Sequence, residues 1–263
     1  MGNQLHEGIE RRLRIISTMG TVIEIDLRDA HVASSALDEA EGWLVAVDAR
    51  FSPFRPTSEI SRLARGGLDL DDCPADVRYV LGRCEALRLE SGGAFDIRAA
   101  GLRGGLDPSG YVKGWAVEEA AHILEAGGAR NYLINGGGDV LARGAPEAGR
   151  GWVVGIRHPL EADQVVARVQ PPADATRFAV ATSGGYERGD HIVDARTGLA
   201  ATDWLSLSVA GPSLAQADAC ATAAFAMGRA GLAWLAGLPG YEGYAIDQNL
   251  RPSWTTGFDP LLA

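Results

Sequence analysis

The chain has 263 residues, 46% hydrophobic and 22% charged, a balance that excludes a disordered or fibrous protein and leaves room for a sizeable core. Its 24 basic and 34 acidic residues give a formal net charge of −10, which argues against a broad nucleic-acid or anionic-membrane surface. No apolar run approaches the ~18 residues that span a bilayer, and the opening MGNQLHEGIERRLRII lacks the apolar stretch of a signal peptide, so the sequence reads as cytoplasmic with no membrane segment.

Two β-like runs come first. Leu13 to Ser17 is followed by Thr21 to Leu27, where Ile23, Ile25 and Leu27 alternate with Val22, Glu24 and Asp26, and Met19-Gly20 between the runs reads as a turn. Leu37, Ala40, Leu44 and Val47 recur at helical spacing, which predicts a helix over Ser35 to Ala49 with one buried stripe. Val77, Leu81, Cys84 and Leu87 mark a second helix, and Val112 to Ala126 a third that ends at Gly127-Gly128. Strand candidates follow at Tyr132 to Asn135, Trp152 to Arg157, Val165 to Val169, Phe178 to Thr182 and Leu205 to Ala210. Helical patterns return at Leu214 to Gly228 and Leu232 to Leu238. Glycine, proline and aspartate clusters separate these strands, and most are not divided by helices. That order favours an α+β fold of mainly antiparallel sheets packed with helices over a doubly wound parallel sheet. With no repeat, low-complexity segment or linker, one interlocked domain over residues 1–263 is expected. Cys73, Cys84 and Cys220 are odd in number and have no CxxC spacing, so they are expected to be buried small hydrophobes. Lys113 is the only lysine.

Four segments have the composition of a binding site, and each has a plainer reading beside it. Asp107-Pro-Ser-Gly-Tyr-Val-Lys113-Gly runs into the third helix. Backbone N–H groups at a helix start with a lysine in its first turns make an anion seat; the plainer reading is a capped helix with a solvated lysine. In Asn135-Gly-Gly-Gly-Asp139 the glycines either admit a ligand close to the backbone or form a tight turn. Thr182-Ser183-Gly184-Gly185-Tyr186 places hydroxyls and glycines at a strand end, where they can nest phosphate, and His191 follows as the best candidate for a general base. Its plainer role is structural hydrogen bonding. Asp218 and Thr222 are i and i+4, so a carboxylate and a hydroxyl share one helical face. With a carbonyl or two they offer hard oxygen ligands of the kind Mg²⁺ prefers. The plainer reading is an aspartate serving the helix dipole and a threonine bonding its own backbone.

Taken in order, Met19-Gly20-Thr21, the run Phe51 to Leu63, Gly93-Ala94-Phe95-Asp96, Asp107 to Lys113, Asn135 to Asp139, Thr182 to Tyr186, His191-Ile-Val-Asp194 and Ala217 to Thr222 resemble the ApbE family of FAD:protein FMN transferases. The resemblance covers roughly residues 13 to 230. It implies an ApbE-like fold and a Mg²⁺-dependent enzyme that cleaves the pyrophosphate of FAD, attaches FMN through a phosphoester to a threonine or serine of an acceptor protein, and releases AMP. It places Met19, Phe54, Ala94, Phe95, Asp96, Asp107, Lys113 and Ile192 against FAD, beside the phosphate nest expected at Ser183 and Gly184. It assigns the metal to the carbonyls of Gly110 and Ala221 and the side chains of Asp218 and Thr222. His191 falls where a histidine activates the acceptor hydroxyl. The alternatives are an FAD-binding protein without turnover and an FAD pyrophosphatase that uses water. Asp96 and Asp107 are closer in sequence than in many members of the family, so part of the FAD cover is expected to be missing; Ala64, Ile97 and Ala195 also replace commoner residues.

Overall fold

The computed structural model describes residues 11–99, 105–185 and 192–263. β1 (Arg12–Thr18) and β2 (Thr21–Leu27) form a hairpin whose Met19 and Gly20 both adopt positive φ, 52° and 70°, the left-handed pair that a tight two-residue turn between twisted strands requires. Four helices follow: α1 (Ser34–Phe51), α2 (Glu59–Ala64), α3 (Ala75–Glu90) and α4 (Ser109–Ala126). The hairpin β3 (Tyr132–Gly136) and β4 (Asp139–Arg143) then returns the chain to the sheet. A separate hairpin, β5 (Val154–Arg157) with β6 (Val165–Val169), precedes β7 (Arg177–Gly184). The two-residue strands β8 (Val193–Asp194) and β9 (Leu199–Ala200) lead into β10 (Trp204–Gly211), α5 (Leu214–Ala226), α6 (Ala230–Leu235), β11 (Glu242–Asp247) and β12 (Pro252–Trp254).

Among the described residues, eight strands form one sheet in the order β1-β2-β3-β4-β7-β10-β11-β12, each pair antiparallel. The helices enter between β2 and β3 and between β10 and β11, and they cover one face. Ile23, Ile25 and Leu27 of β2, Ile134 of β3, Leu141 of β4, Ala179 and Ala181 of β7 and Leu207 and Val209 of β10 point into this helical layer. Their neighbours Val140, Phe178, Val180 and Ala210 face the other way, against Val154, Ile156 and Val169 of the β5–β6 hairpin and against Phe258 and Leu261 near the C-terminus. The period-2 alternation thus feeds two cores. The expected α+β class with antiparallel sheets is what the chain forms. Cys73, Cys84 and Cys220 are buried and unpaired, and burial pushes the Cys84 and Cys220 thiols up to about 12. Among the described residues no helix is long and apolar enough to cross a membrane.

The structure adds elements that periodicity did not predict. In β4, Val140, Leu141 and Ala142 are all buried, and a strand covered on both faces carries no alternation to read. β11 is buried along Gly243 to Asp247 for the same reason. α2 is too short for an apolar stripe, and its start is fixed by Ser58, whose hydroxyl accepts the Ser61 N–H at 3.0 Å. The expected strand Trp152 to Arg157 begins at Val154, because the Trp152 indole turns away to donate to the Arg143 carbonyl at 2.9 Å.

The C-terminal half of α4 is tied to the sheet by charge. Glu125 accepts from Arg177 Nε at 2.9 Å and pairs with Arg143 Nη1 at 2.8 Å, and it also takes the Tyr132 hydroxyl. Burial works to raise its pKa, but the bonds donated by Arg177, Tyr132 and Arg143 outweigh burial and bring it down to about 2. A folded pKa below the ordinary 4.5 means that the stabilisation is complete above that pH and is lost as pH falls toward 2. Glu125→Gln should therefore cost about 3 kcal/mol at neutral pH. In urea unfolding measured across pH 7 to about 2, the variant should also show a flatter acid decline than the parent.

Candidate functional site

At the other end of α4 the sequence segments converge. Asp107 Oδ1 accepts the Ser109 N–H at 2.9 Å and also the Ser109 hydroxyl, which starts the helix three residues before the predicted Val112. Its own N–H donates to the Ile97 carbonyl at 2.8 Å, so the short 97–107 segment is closed at its base. Residues 100–104 within it lie outside the described residues.

α4 and α5 meet at glycine. A Cβ at Gly114 would lie 2.5 Å from the Leu214 carbonyl oxygen and 2.8 Å from Asp218 Cβ, so only a bare backbone permits this approach. The Gly114 N–H, which in a regular helix serves the Gly110 carbonyl, donates to Asp218 Oδ2 at 2.9 Å. Gly110 therefore competes with a carboxylate for its donor. Asp218 is only 5% exposed. One turn on, the Thr222 hydroxyl lies 3.2 Å from the Asp218 carbonyl and 3.3 Å from the Ser183 hydroxyl of β7. Gly110 closes the group from above, since a Cβ there would lie 3.2 Å from Thr222 Oγ1 and 3.4 Å from the Phe95 ring. A second clamp keeps the helices in register: Glu118 of α4 accepts the Ser213 hydroxyl at 2.7 Å and the Ala215 N–H at 3.0 Å at the start of α5.

Lys113 is not a freely solvated lysine, its side chain being 26% exposed. Its Nζ lies 2.6 Å from Oδ2 of Asp139, the first residue of β4. Asn135-Gly-Gly-Gly-Asp139 is a turn, with Gly137 and Gly138 at positive φ and the Gly138 N–H donating to Asn135 Oδ1 at 2.8 Å. A Cβ on Gly137 would collide with the Thr21 hydroxyl, and the Gly137 N–H bonds the Val22 carbonyl at 3.1 Å. The turn bearing Met19 and the turn leading to Asp139 therefore lie side by side.

The structure thus brings Phe95, Gly110, Ser183, Asp218 and Thr222 into one group, with Lys113 on the next turn of α4. Ala94 is buried beside Phe95, and Asp96 accepts the Arg98 N–H at 2.8 Å. Ala221 is fully buried on α5, and Gly184 is buried at the end of β7, opposite Ser206. Ile192 is buried, and its carbonyl accepts the Ala201 N–H at 3.0 Å at the base of the β8–β9 hairpin. Phe54 is 75% exposed on the loop after α1. His191 and Tyr186 lie outside the described residues. The plainer reading of Thr222 is present, since its hydroxyl bonds its own backbone, while Asp218 accepts from a residue of another helix. Sequence reasoning overlooked Gly114, Glu118 and the role of Asp139. The signals for them are a glycine inside a long helical pattern and an acid closing a glycine run.

Among the described residues, no three histidine, cysteine or acidic groups gather as a metal cluster. A cation here would meet one buried carboxylate, hydroxyls and carbonyls. That oxygen-only set with a single acid suits Mg²⁺ completed by substrate phosphates, not zinc.

The ApbE family model matches residues 19–104 and 101–245. This chain belongs to the ApbE family. A Vibrio cholerae relative named FAD:protein FMN transferase is 32% identical over 132 residues, 47% of this chain and 39% of that protein. A Rhodobacter capsulatus relative of the same name is 37% identical over 126 residues, 45% of this chain and 23% of that protein. These alignments span well under half the length of either relative. The solved flavin transferase ApbE from Vibrio cholerae superposes with a TM-score of 0.83 at 22% identity, covering 96% of this chain and 99% of that one. The ApbE protein from Thermotoga maritima gives 0.84 at 19% identity, covering 97% and 100%. The likeness of fold extends over the whole chain, well beyond the aligned sequence.

The glycine contact sets a prediction for this ApbE member. Gly114→Ala forces α4 away from α5 and should cost about 1–3 kcal/mol, as overpacked sites do, read as a lowered midpoint in urea unfolding. The control Gly82→Ala, where an added Cβ meets nothing within 4 Å, should leave the midpoint unchanged or raise it.

Proposed function

We propose that this chain is an FAD:protein FMN transferase that acts as one unit and uses Mg²⁺. The observation that carries the reading is the buried Asp218 carboxylate on one α5 face with Thr222, met by Gly110 of α4 and Ser183 of β7. Relatives 32% and 37% identical over 47% and 45% of this chain carry that activity in their names.

In this reading the Gly114 N–H orients Asp218, and Asp218, Thr222 and the carbonyls of Gly110 and Ala221 would hold the cation. When bound, Mg²⁺ neutralises charge on phosphoryl oxygens and helps place the pyrophosphate for in-line attack. Ser183 and Gly184, at the strand end, and Lys113 receive the phosphates. Met19, Phe54, Ala94, Phe95, Asp96, Asp107 and Ile192 hold the remainder of FAD. His191 takes the proton of the acceptor threonine or serine hydroxyl as its oxygen attacks the phosphorus on the FMN side. The bond from that phosphorus to the bridging oxygen breaks, AMP leaves with the electron pair, and the acceptor keeps FMN as a phosphoester. Because the attacking hydroxyl is unreactive at neutral pH, the histidine base is worth about 10²–10⁴ in rate.

The test combines the protein with FAD, Mg²⁺ and candidate acceptor proteins, and follows AMP release and the gain of an FMN unit by mass spectrometry. Chelation of Mg²⁺ should stop both. Asp218→Asn should reduce both by about 100-fold or more with little change in melting temperature, because the asparagine oxygen still accepts from Gly114. His191→Ala should slow labelling within the range given above. AMP with free FMN and no labelled acceptor would mean hydrolysis by water, and FAD that stays bound and intact with Mg²⁺ present would mean a binding protein; either result overturns the transferase reading.

A further inference from the structure

Asp139 is 1% exposed. A carboxylate taken so far out of water costs several kcal/mol unless partners compensate it, and the partners here join three elements. Oδ2 meets Lys113 Nζ of α4 at 2.6 Å, and Oδ1 accepts the Thr182 N–H of β7 at 2.9 Å.

The second bond has a topological cause. β4 and β7 pair from Arg143↔Arg177 to Val140↔Val180, a register that would set Gly138 opposite Thr182. At Gly137 and Gly138 the chain turns back toward β3 at positive φ, so no β4 backbone carbonyl is in place for the Thr182 N–H. The Asp139 side chain takes that bond, carrying β7 past the end of its ladder to Ser183, which meets Thr222. On the other side Asp139 sets the Lys113 ammonium. The Lys113–Gly114 peptide is thus held twice, by Asp139 through the lysine side chain and by Asp218 through the Gly114 N–H.

We propose that Asp139 is a positioning residue that fixes the Lys113 ammonium and the Ser183 end of β7 relative to each other, so that both meet the same pyrophosphate. This rests on the transferase reading above. A displacement of about 1 Å in groups that align a phosphoryl transfer costs up to about 10²-fold in rate. Asp139 therefore acts on turnover more than on FAD binding, since the groups remain present when it is neutralised.

The test is a double-mutant cycle of Asp139→Asn and Lys113→Met, with kcat for AMP release and Kd for FAD measured separately and thermal melts alongside. The expected result is a kcat about 10–100-fold lower in Asp139→Asn, with FAD affinity within about threefold of the parent. The double variant should be no worse than Lys113→Met alone, and Asp139→Glu, which keeps the charge, should recover part of the loss. If Asp139→Asn does not fold, Asp139→Glu takes its place in the same cycle. The proposal is overturned if kcat per folded molecule stays within twofold of the parent, or if the two losses multiply. A parent protein that never releases AMP sinks the transferase reading and this inference with it. An active parent indifferent to position 139 sinks this inference alone.

Discussion

The structure turns on one buried hydrogen bond between helices that are far apart in sequence. Asp218 Oδ2 accepts the Gly114 N–H across a contact that an added methyl group would close. A carboxylate at this depth needs a donor to offset its lost hydration, and a helix interior rarely has an N–H to spare. Gly114 supplies one because it has no side chain to keep the α5 backbone away. Through this contact the helix start that bears Gly110 and Lys113 acquires a fixed relation to the face that bears Asp218 and Thr222.

The remaining restraints divide along α4. Its last turns carry Glu118 and Glu125, held by Ser213, Ala215, Arg143, Arg177 and Tyr132. Its first turns carry the groups that would face ligand. The scaffold end is saturated with paired charge, whereas the site end is made of glycines, hydroxyls and a few charges set at defined distances. A helix anchored so firmly at one end keeps the groups at its other end in register, as a preorganised site requires.

Much of this was legible in the sequence, and the reasons differ by element. The β1–β2 hairpin, the α1 stripe and the shared face of Asp218 and Thr222 follow from local periodicity, which a single segment carries. β4 did not, because burial on both faces erases alternation at Val140 to Ala142. The candidate site residues stand out as an ordered series of motifs, but their partners do not. Asp218 bonds a residue 104 positions earlier, and the only lysine pairs with an aspartate on a strand that had gone unread. Pairings of this kind arise from topology, and nothing in the spacing of one segment encodes them.

The thiols described with the core bear on the chemistry as well. With Cys84 and Cys220 raised to about 12 by burial, on the order of one sulfur in 10⁵ is ionised at neutral pH. Alkylating agents and peroxide attack the ionised form, so these two side chains are all but inert to them. The low reactivity expected of Cys84 and Cys220 is thus a consequence of packing and not of any partner group.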